Sequence, residues 1–588
     1  MKNNSTLFVC LLIGLCVSAF AVQEGEGQIP SLLNQKQLQA VVSDLQAFIP
    51  QLIKEARVPG LQIALIREGK IAWHQAFGVR NAKTGEPVTD DTIFEAASLT
   101  KPFFAYYVMK LAEQGVLSLD KPILGYLPQP VVEQGLEHPL DEKGFHRAWF
   151  EKITARHVLS HSSGMPHGES GKPFPLFFEP GTQWKYSADG YFFLQKAVEL
   201  LKGDKLENLM QKEVLDPLGM SRSCLVWKDD YERTMANGHG FFGKPEEFRR
   251  RTEAHAAATL YTTADDYAKF VCAVLNGDGL QPETLKEMLT SQIDMDKDKG
   301  LGWSLGFGTQ TDANGRAVWQ WGDYGTFRNY IIAYPKEKTG VVYLTNSFYG
   351  LGICPAVVAH SLGGQELGRV ALKYLSYDSP VYQFAWELWL KGPQAVGHLA
   401  DLKRSYPEEF TPDNLSLVLD VFQGEANLTP QVIALLEYKL GERPKSGQTL
   451  LDLARAYLAA GDTNKARTYL EKAGMAEEDK VEPALIDWNR THAQALEKPV
   501  KLEEEYMKVL AGDYSPRHIV FREGRLHYFR EGGIYSEPRP LVAMSRDTFV
   551  LEGASGFRFK IEFDDKGDPL KLVGLYEDGR RDETLRTK

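Results

Sequence analysis

The chain has 588 residues, 43% of them hydrophobic, and a formal net charge of −11. This length and hydrophobic content suffice for several cores and predict about two to four domains. The sequence has neither a basic tract nor a helix rich in Arg and Lys. Together with the negative charge, this argues against nucleic acid as a partner.

The first 21 residues have the pattern of a signal peptide. Lys2 is followed by an apolar run at 7–18 and by small residues around Ala21, so we predict cleavage before Val22. A retained membrane anchor is the alternative, but the run is too short to cross a bilayer comfortably. We therefore expect an exported protein, periplasmic or secreted, that is not transmembrane after cleavage.

The cysteines do not form a disulfide framework. Cys10 and Cys16 leave with the signal peptide, and Cys224, Cys272 and Cys354 remain, far apart in the sequence. An oxidising compartment permits one bond between them.

No metal or cofactor motif stands out either. His161 and His167 are close in sequence, but nothing supplies a clear third ligand. The sequence has no phosphate-binding or dinucleotide-binding glycine loop. We expect a protein without a metal and without an organic cofactor.

The first candidate catalytic residues along the chain lie near residue 98. Alternating apolar residues at 61–66 and 71–78 flank a polar turn and predict a β-hairpin, and the run at 102–111 has a helical period. Between them, Ser98 and Lys101 are three residues apart, which places hydroxyl and amine on one helix face.

A lysine in a desolvated pocket is neutral and accepts the serine proton, so Lys101 would make Ser98 a nucleophile. Taken alone, a capping role for Ser98 and a solvated Lys101 are about as good an interpretation. The chain has a second Ser-x-x-Lys at 118–121, which we attribute to chance because Pro122 ends any helix there.

Five sequence blocks in order resemble the serine β-lactamase and penicillin-binding-protein-like superfamily, on its class C, esterase-like side. The Ser-x-x-Lys of residues 98–101 is its nucleophile motif. The other blocks are 115–128 (GVLSLDKPILGYLP), 154–166 (TARHVLSHSSGMP), 178–191 (FEPGTQWKYSADGY) and 215–220 (LDPLGM). The resemblance implies an α/β (α+β) fold in which helices flank an antiparallel sheet, with an all-α subdomain.

The same resemblance assigns Tyr186 to proton transfer beside Lys101. Nearby ammonium groups are expected to lower the pKa of a buried phenol from its usual value of about 10. A core tyrosine is the alternative. Ala188 stands where the family pattern has Asn, and this departure weakens binding of β-lactams or peptide amides.

The third family motif is assigned to the strand at 317–327 (AVWQWGDYGTF), although a literal Lys-Thr-Gly occurs at 338–340. That copy lies between two apolar runs and predicts a tight turn. In the assigned strand, Gln320 replaces the family's basic residue, and Gly322 is expected to let the backbone approach the substrate.

In this assignment the amides of Ser98 and Asp323 form the oxyanion hole. Arg328, on the next strand, is the candidate for a replacement cation.

The sequence pattern becomes helical after the hydrolase-like part. Residues 380–502 are helical in pattern, and 450–473 resemble one tetratricopeptide unit. Its packing positions are Leu453, Ala454, Tyr457, Ala466, Leu470 and Ala473. A solenoid needs about three copies or more, so we interpret this stretch as a helical hairpin packed on its neighbours.

Residues 505–588 show short alternating strands and tight turns, which predict a small β-sandwich or barrel. This part resembles the lipocalin-like β module found behind β-lactamase-related domains. The predicted organisation is a signal peptide at 1–21, a serine hydrolase domain at 30–377, a helical region at 380–502 and a β domain at 505–588.

The resemblance implies an exported serine hydrolase that acts through an acyl-enzyme on a small-molecule or peptidoglycan-like substrate, with esters preferred. A penicillin-type β-lactamase or D-Ala-D-Ala carboxypeptidase is the first alternative. A catalytically faded scaffold that binds cell wall or protein is the second. The sequence does not fix an oligomeric state.

Overall fold

The structure, a computed structural model, describes residues 38–128, 146–168, 176–425, 428–531 and 537–587. The predicted signal peptide at 1–21 lies outside these ranges. Among the described residues, no helix is both long enough and apolar enough to span a bilayer.

Nine strands of the described chain form an antiparallel sheet, and two short strands pair separately. In chain order the strands are β1 (Gly60–Arg67), β2 (Lys70–Asn81), β3 (Glu86–Pro87), β4 (Phe94–Glu95), β5 (Tyr261–Thr262), β6 (Ile293–Asp296), β7 (Leu301–Trp303), β8 (Gly308–Asp312), β9 (Gly315–Asp323), β10 (Arg328–Tyr334) and β11 (Thr339–Thr345). The order across the large sheet is β3-β2-β1-β11-β10-β9-β8-β7-β6, while β4 pairs with β5.

Helices cover both faces of this sheet, as predicted. They are α1 (Leu38–Glu55), α2 (Thr100–Glu113), α3 (Arg147–Phe150), α4 (Ala155–Leu159), α5 (Asp189–Lys202), α6 (Leu206–Met210), α7 (Ala264–Asn276), α8 (Pro282–Leu289), α9 (Cys354–Leu362) and α10 (Gly368–Ala371). Because strand side chains alternate, Ala64 and Ile66 pack towards α2 and α7, whereas Ile63 and Leu65 pack towards α1 and α9.

Two local predictions are confirmed. β1 and β2 form the expected hairpin, and the literal Lys-Thr-Gly at 338–340 spans the β10–β11 turn and the start of β11. Lys338 has a φ of +47° there, and its ammonium donates to the Asn276 side chain. Ser118 and Lys121 of the second Ser-x-x-Lys are exposed, which supports reading that copy as chance.

The following region is helical, with α11 (Pro380–Lys391), α12 (Leu399–Ser405), α13 (Pro412–Gln423), α14 (Thr429–Glu442), α15 (Gly447–Ala459), α16 (Thr463–Gly474), α17 (Pro483–Glu497) and α18 (Glu504–Leu510). The predicted hairpin is α15 and α16, and all six proposed packing positions are buried. Leu388 of α11 and Phe422 of α13 belong to the same apolar cluster as the α1 face of the sheet. The helical region therefore continues that core.

The last strands are β12 (Gly512–Tyr514), β13 (Arg517–Arg522), β14 (Arg525–Arg530), β15 (Arg539–Ala543), β16 (Thr548–Leu551), β17 (Phe557–Phe563), β18 (Pro569–Tyr576) and β19 (Arg581–Leu585). They pair in sequence order. The Thr587 amide, just after β19, donates to the Asp513 carbonyl of β12 at 2.8 Å, so the sheet curls into a nearly closed barrel. The predicted barrel is confirmed, while the exact domain boundaries stay predictions.

Candidate active site

Ser98 lies in a single 3₁₀ turn, Ala97–Leu99, directly before α2. Ala97 has a φ of +50°, a left-handed conformation that is costly for a residue with a side chain. The Thr100 hydroxyl donates to the Ala97 carbonyl at 2.7 Å and accepts from the Leu260 amide at 3.0 Å. These two bonds hold the strained turn, and the half-buried Ser98 side chain with it.

Lys101 is only 1% exposed, so the alternative of a solvated lysine is wrong. Its Nζ lies 3.0 Å from Ser98 Oγ and 3.0 Å from the Ala257 carbonyl oxygen. Burial lowers the pKa of Lys101 to about 7, against an opposing effect of the Asp189 carboxylate. A substantial fraction of Lys101 is therefore neutral near pH 7 and able to accept a proton from Ser98.

Tyr186 completes the cluster around Ser98. Its hydroxyl is hydrogen-bonded to Ser98 and accepts from Gln320 Nε2 at 3.2 Å, while Lys101 Nζ lies 4.6 Å from the ring centre. Burial raises the pKa of Tyr186 above its ordinary value, although the hydrogen bonds with Ser98 and Gln320 oppose this. The expected lowering of the Tyr186 pKa is therefore wrong, and the phenol is neutral.

His161, which lies in the 154–166 block and was also considered as a metal ligand, holds the loop that carries Tyr186. Its carbonyl accepts from the Lys185 amide at 2.9 Å, and its Nδ1 accepts from the Ser187 amide at 3.1 Å. Burial, with a contribution from Lys101, keeps the pKa of His161 well below its ordinary value. The ring is therefore neutral and packs 4.2 Å from the Tyr186 ring, centre to centre.

Gln320 lies behind the nucleophile and is completely buried. Its Nε2 donates to the Ser98 carbonyl at 3.1 Å and to the Tyr186 hydroxyl at 3.2 Å. Because the carbonyl accepts only, it fixes which way the amide points. Both N–H groups of the Gln320 amide are thus bonded within the protein. The structure places Gln320 against Ser98 and Tyr186, where it supports their positions.

Gly322 brings β9 close to the nucleophile turn. A Cβ at this position would lie 2.1 Å from the Ala96 carbonyl oxygen, which is a severe overlap. The glycine is therefore required by the approach of β9 to the residues before Ser98, whereas the sequence reasoning had assigned it to the approach of a substrate.

Asp323 and Arg328 face each other on β9 and β10. Arg328 Nε donates to Asp323 Oδ1 at 3.1 Å, and Tyr374 donates to Oδ2 at 2.7 Å. Burial alone would raise the pKa of Asp323, but Arg328 and the Gly325 amide hold it below its usual range. Arg328 is only 8% exposed and also donates to the Phe348 carbonyl, so its charge is already used within the protein.

Sequence reasoning missed a second cation near the site. Arg251 lies over the Tyr324 ring, 4.7 Å from its centre, and the Tyr324 hydroxyl donates to the Ala258 carbonyl, next to the Ala257 carbonyl that binds Lys101. Within the described ranges, Arg251 forms no side-chain ion pair within 4.0 Å. The one sequence signal for Arg251 was indirect: Tyr324, the ring over which Arg251 lies, directly follows Asp323.

The described residues contain no group of three or more His, Cys, Asp or Glu side chains arranged to hold a metal ion.

We predict that Gly322→Ala lowers the free energy of unfolding by roughly 1–3 kcal/mol, because the methyl group must push β9 away from Ala96. Urea unfolding followed by tryptophan fluorescence measures this. Gly240→Ala is the matched control, since a Cβ there meets no atom within 4 Å. Equal stability of the two variants would contradict the close approach of β9.

Two family models match parts of the chain. A family model described as beta-lactamase matches residues 45–353, just over half of the 588-residue chain. A tetratricopeptide repeat model matches residues 425–484, a stretch that includes the predicted helical hairpin.

Individual relatives match about half of the chain. Esterase EstB of Burkholderia gladioli is 28% identical over 46% of this chain and 79% of its own length. Penicillin-binding protein 4* of Bacillus subtilis is 23% identical over 47% of this chain and 66% of its own. The structure of a beta-lactamase/D-alanine carboxypeptidase from Pseudomonas syringae is 20% identical, with a TM-score of 0.48, over 56% of this chain and 100% of that one.

Proposed function

Because the chain belongs to the beta-lactamase family, we propose that it is a serine hydrolase that acts through an acyl-enzyme, with Ser98 as nucleophile. One observation carries the proposal: Ser98 Oγ lies 3.0 Å from a buried lysine amine whose pKa is about 7. A lysine kept partly neutral at neutral pH is the general base that a serine nucleophile requires.

In the proposed reaction, Ser98 Oγ attacks the substrate carbonyl and its proton moves to Lys101 Nζ. The amides of Ser98 and Asp323 are proposed to donate to the resulting oxyanion. When the intermediate collapses, the bond to the leaving group breaks and Lys101 returns the proton to it through the neutral Tyr186 hydroxyl. Water then attacks the acyl-enzyme, again with Lys101 and Tyr186 handling the proton, and frees Ser98.

We further propose that esters without a carboxylate next to the scissile bond are the preferred substrates. Ala188 has no side-chain donor, both Gln320 donors are used within the protein, and Arg328 is paired with Asp323. A substrate carboxylate would thus find no charged donor at Ala188 or Gln320, and the charge of Arg328 is already paired. The similarity to esterase EstB is consistent with this preference.

Activity on β-lactams or D-Ala-D-Ala peptides is the second candidate, and Arg251 is the observation that favours it. This cation lies on the Tyr324 ring beside β9. Arg251 therefore replaces Arg328 as the residue proposed to bind a substrate carboxylate, should that activity be found.

Export and the domain boundaries also stay proposals. Export is supported by the signal-like pattern of residues 1–21. The boundary near 377–380 separates the matched hydrolase part from the helical region, although the two share one apolar core.

Replacing the nucleophile tests the enzyme against the scaffold alternative. We expect Ser98→Ala to lose at least about 10³-fold in kcat/KM for p-nitrophenyl acetate, because only residual binding effects remain without the nucleophile. Ser118→Ala, in the exposed second motif, is the matched control and should keep full activity.

A fluorophosphonate probe followed by peptide mass spectrometry provides the independent readout. It should label Ser98 in the native protein and in the Ser118→Ala variant. Unlabelled Ser98, together with esterase activity equal in Ser98→Ala and the native protein, would favour the scaffold.

The dependence of rate on pH tests Lys101 as the base. We expect kcat/KM for p-nitrophenyl butyrate to rise with pH through about 7, as Lys101 loses its proton. The Asp189 carboxylate favours the charged amine, so Asp189→Asn should lower the pKa of Lys101 and move this rise to lower pH.

Asparagine retains an oxygen that can accept from the Gly168 amide, as Asp189 does. Asp204→Asn, in the exposed turn after α5, is the control and should leave the profile unchanged. A rise that stays in place, or moves to higher pH, in Asp189→Asn would contradict the role of Lys101.

The substrate preference is measured as the ratio of kcat/KM for p-nitrophenyl butyrate to that for nitrocefin. We expect the double variant Gln320→Lys with Ala188→Asn to move this ratio towards nitrocefin by about tenfold to a hundredfold, since a charged hydrogen bond contributes about 1.5–3 kcal/mol. Lys338→Ala, in the β10–β11 turn, should leave the ratio unchanged. Efficient nitrocefin hydrolysis by the native protein would refute the preference.

A further inference from the structure

A large cavity, separate from the Ser98 site, lies between the helical region and the barrel. Its volume is about 960 Å³, at the upper end of the range for small-molecule sites. We call it the helix–barrel cavity. Its main apolar lining is Leu458, Leu496, Leu502, Leu526, Leu541 and Phe549.

Contacts beside the cavity fix its two walls relative to each other. Arg558 of the barrel stacks on Trp488 of α17, 3.8 Å from the ring centre, and the Trp488 indole donates to the Ser555 carbonyl at 3.0 Å. Arg455 of α15 pairs with Glu577 at 2.7 Å. The cavity is therefore a preformed gap between two anchored parts of the protein.

The barrel side of the cavity includes residues from the barrel's own core. Leu526, Leu541 and Phe549 belong to its inner apolar cluster and are each at most 6% exposed. The connecting segment contributes Val500, which is 39% exposed even though its amide is bonded to the Ala543 carbonyl. A hydrocarbon chain placed here would cover Val500 and the half-buried Leu496 and Leu502, which water now reaches.

The polar lining has the opposite charge to the protein as a whole. Three basic residues, Lys501, Arg525 and Arg539, line the cavity with one carboxylate, Glu552. Arg525 pairs with Glu552 at 3.1 Å, and Lys501 adds an exposed ammonium at the rim. In a chain with a net charge of −11, this concentration of basic residues favours an anionic ligand.

We propose that the helix–barrel cavity binds a single-chain amphiphile with one alkyl tail and one carboxylate. The tail lies along Leu496, Val500 and Leu502, and the carboxylate faces the basic residues around Lys501. This binding does not depend on the Ser98 chemistry, so it holds whether or not the proposed hydrolase activity is found.

The test uses the full chain, with Ser98 first blocked by a fluorophosphonate, and 11-(dansylamino)undecanoic acid as the probe. Ser98→Ala protein takes the place of blocked protein if the reagent does not react. Binding is followed by the rise and blue shift of dansyl fluorescence. We expect a saturable site with one probe per chain and a micromolar Kd.

Two variants change the cavity from exposed positions, where folding is least affected. Ala460→Trp places an indole in the lining from the end of α15 and should weaken binding at least about tenfold, a difference easily resolved in a Kd. Lys501→Glu should weaken it about threefold or more by reversing a charge at the rim. Lys472→Glu, an exposed lysine of α16 that does not line the cavity, is the matched control and should bind as the native chain does.

The methyl ester of the probe should bind more weakly than the acid, and more nearly equally to the native chain and to Lys501→Glu. Unchanged affinity in Ala460→Trp would overturn the proposal. So would binding without saturation, or binding that appears only when Ser98 is left unblocked.

Discussion

The buried amine of Lys101 is the constraint to which the rest of the site responds. A charged ammonium in a protein interior is unfavourable unless it is well paired, and Lys101 has one serine hydroxyl, one backbone carbonyl and a more distant Asp189 carboxylate. These partners offset only part of the cost of burying the charged amine, so the pKa of Lys101 falls to about 7. The lowered pKa of Lys101 therefore depends on the close packing of α2, in which residues 100–109 are all buried.

The neighbours of Lys101 are held by neutral groups. His161 has its pKa pushed down and Tyr186 has its pKa pushed up by the same low-dielectric surroundings, so each stays uncharged near pH 7. Gln320 adds another neutral donor. Since none of these groups competes for a proton near neutrality, Lys101 is the group of this cluster that can accept one from Ser98.

Parts of this arrangement were predictable because they depend on residues close in sequence. The β1–β2 hairpin, the turn at Lys338 and the α15–α16 hairpin follow from alternating or helical apolar patterns bounded by turn residues. The spacing of Ser98 and Lys101 likewise predicts that hydroxyl and amine share a helix face, and they lie 3.0 Å apart.

Other parts depend on partners far along the chain. The hydrogen bond from Tyr374 to the Asp323 carboxylate was not predictable, because Tyr374 lies 51 residues further on. The direction of the Tyr186 pKa was predicted wrongly because a nearby amine was assumed to be charged. Burial, which no local pattern records, makes that amine partly neutral and raises the phenol pKa directly.

The replacement of a basic residue by Gln320 then has a consequence for Tyr186 as well as for substrates. A cation donating to the phenol oxygen would stabilise the phenolate by roughly 1.5–3 kcal/mol, whereas a neutral amide contributes only about 0.5–1.5 kcal/mol. With the neutral donor, Tyr186 remains a phenol that accepts from Gln320, as its proposed role in passing a proton between Lys101 and the leaving group requires. We therefore expect the proposed hydrolase to favour esters over amides, because an alkoxide or phenoxide leaving group needs less help from a proton donor than an amine does.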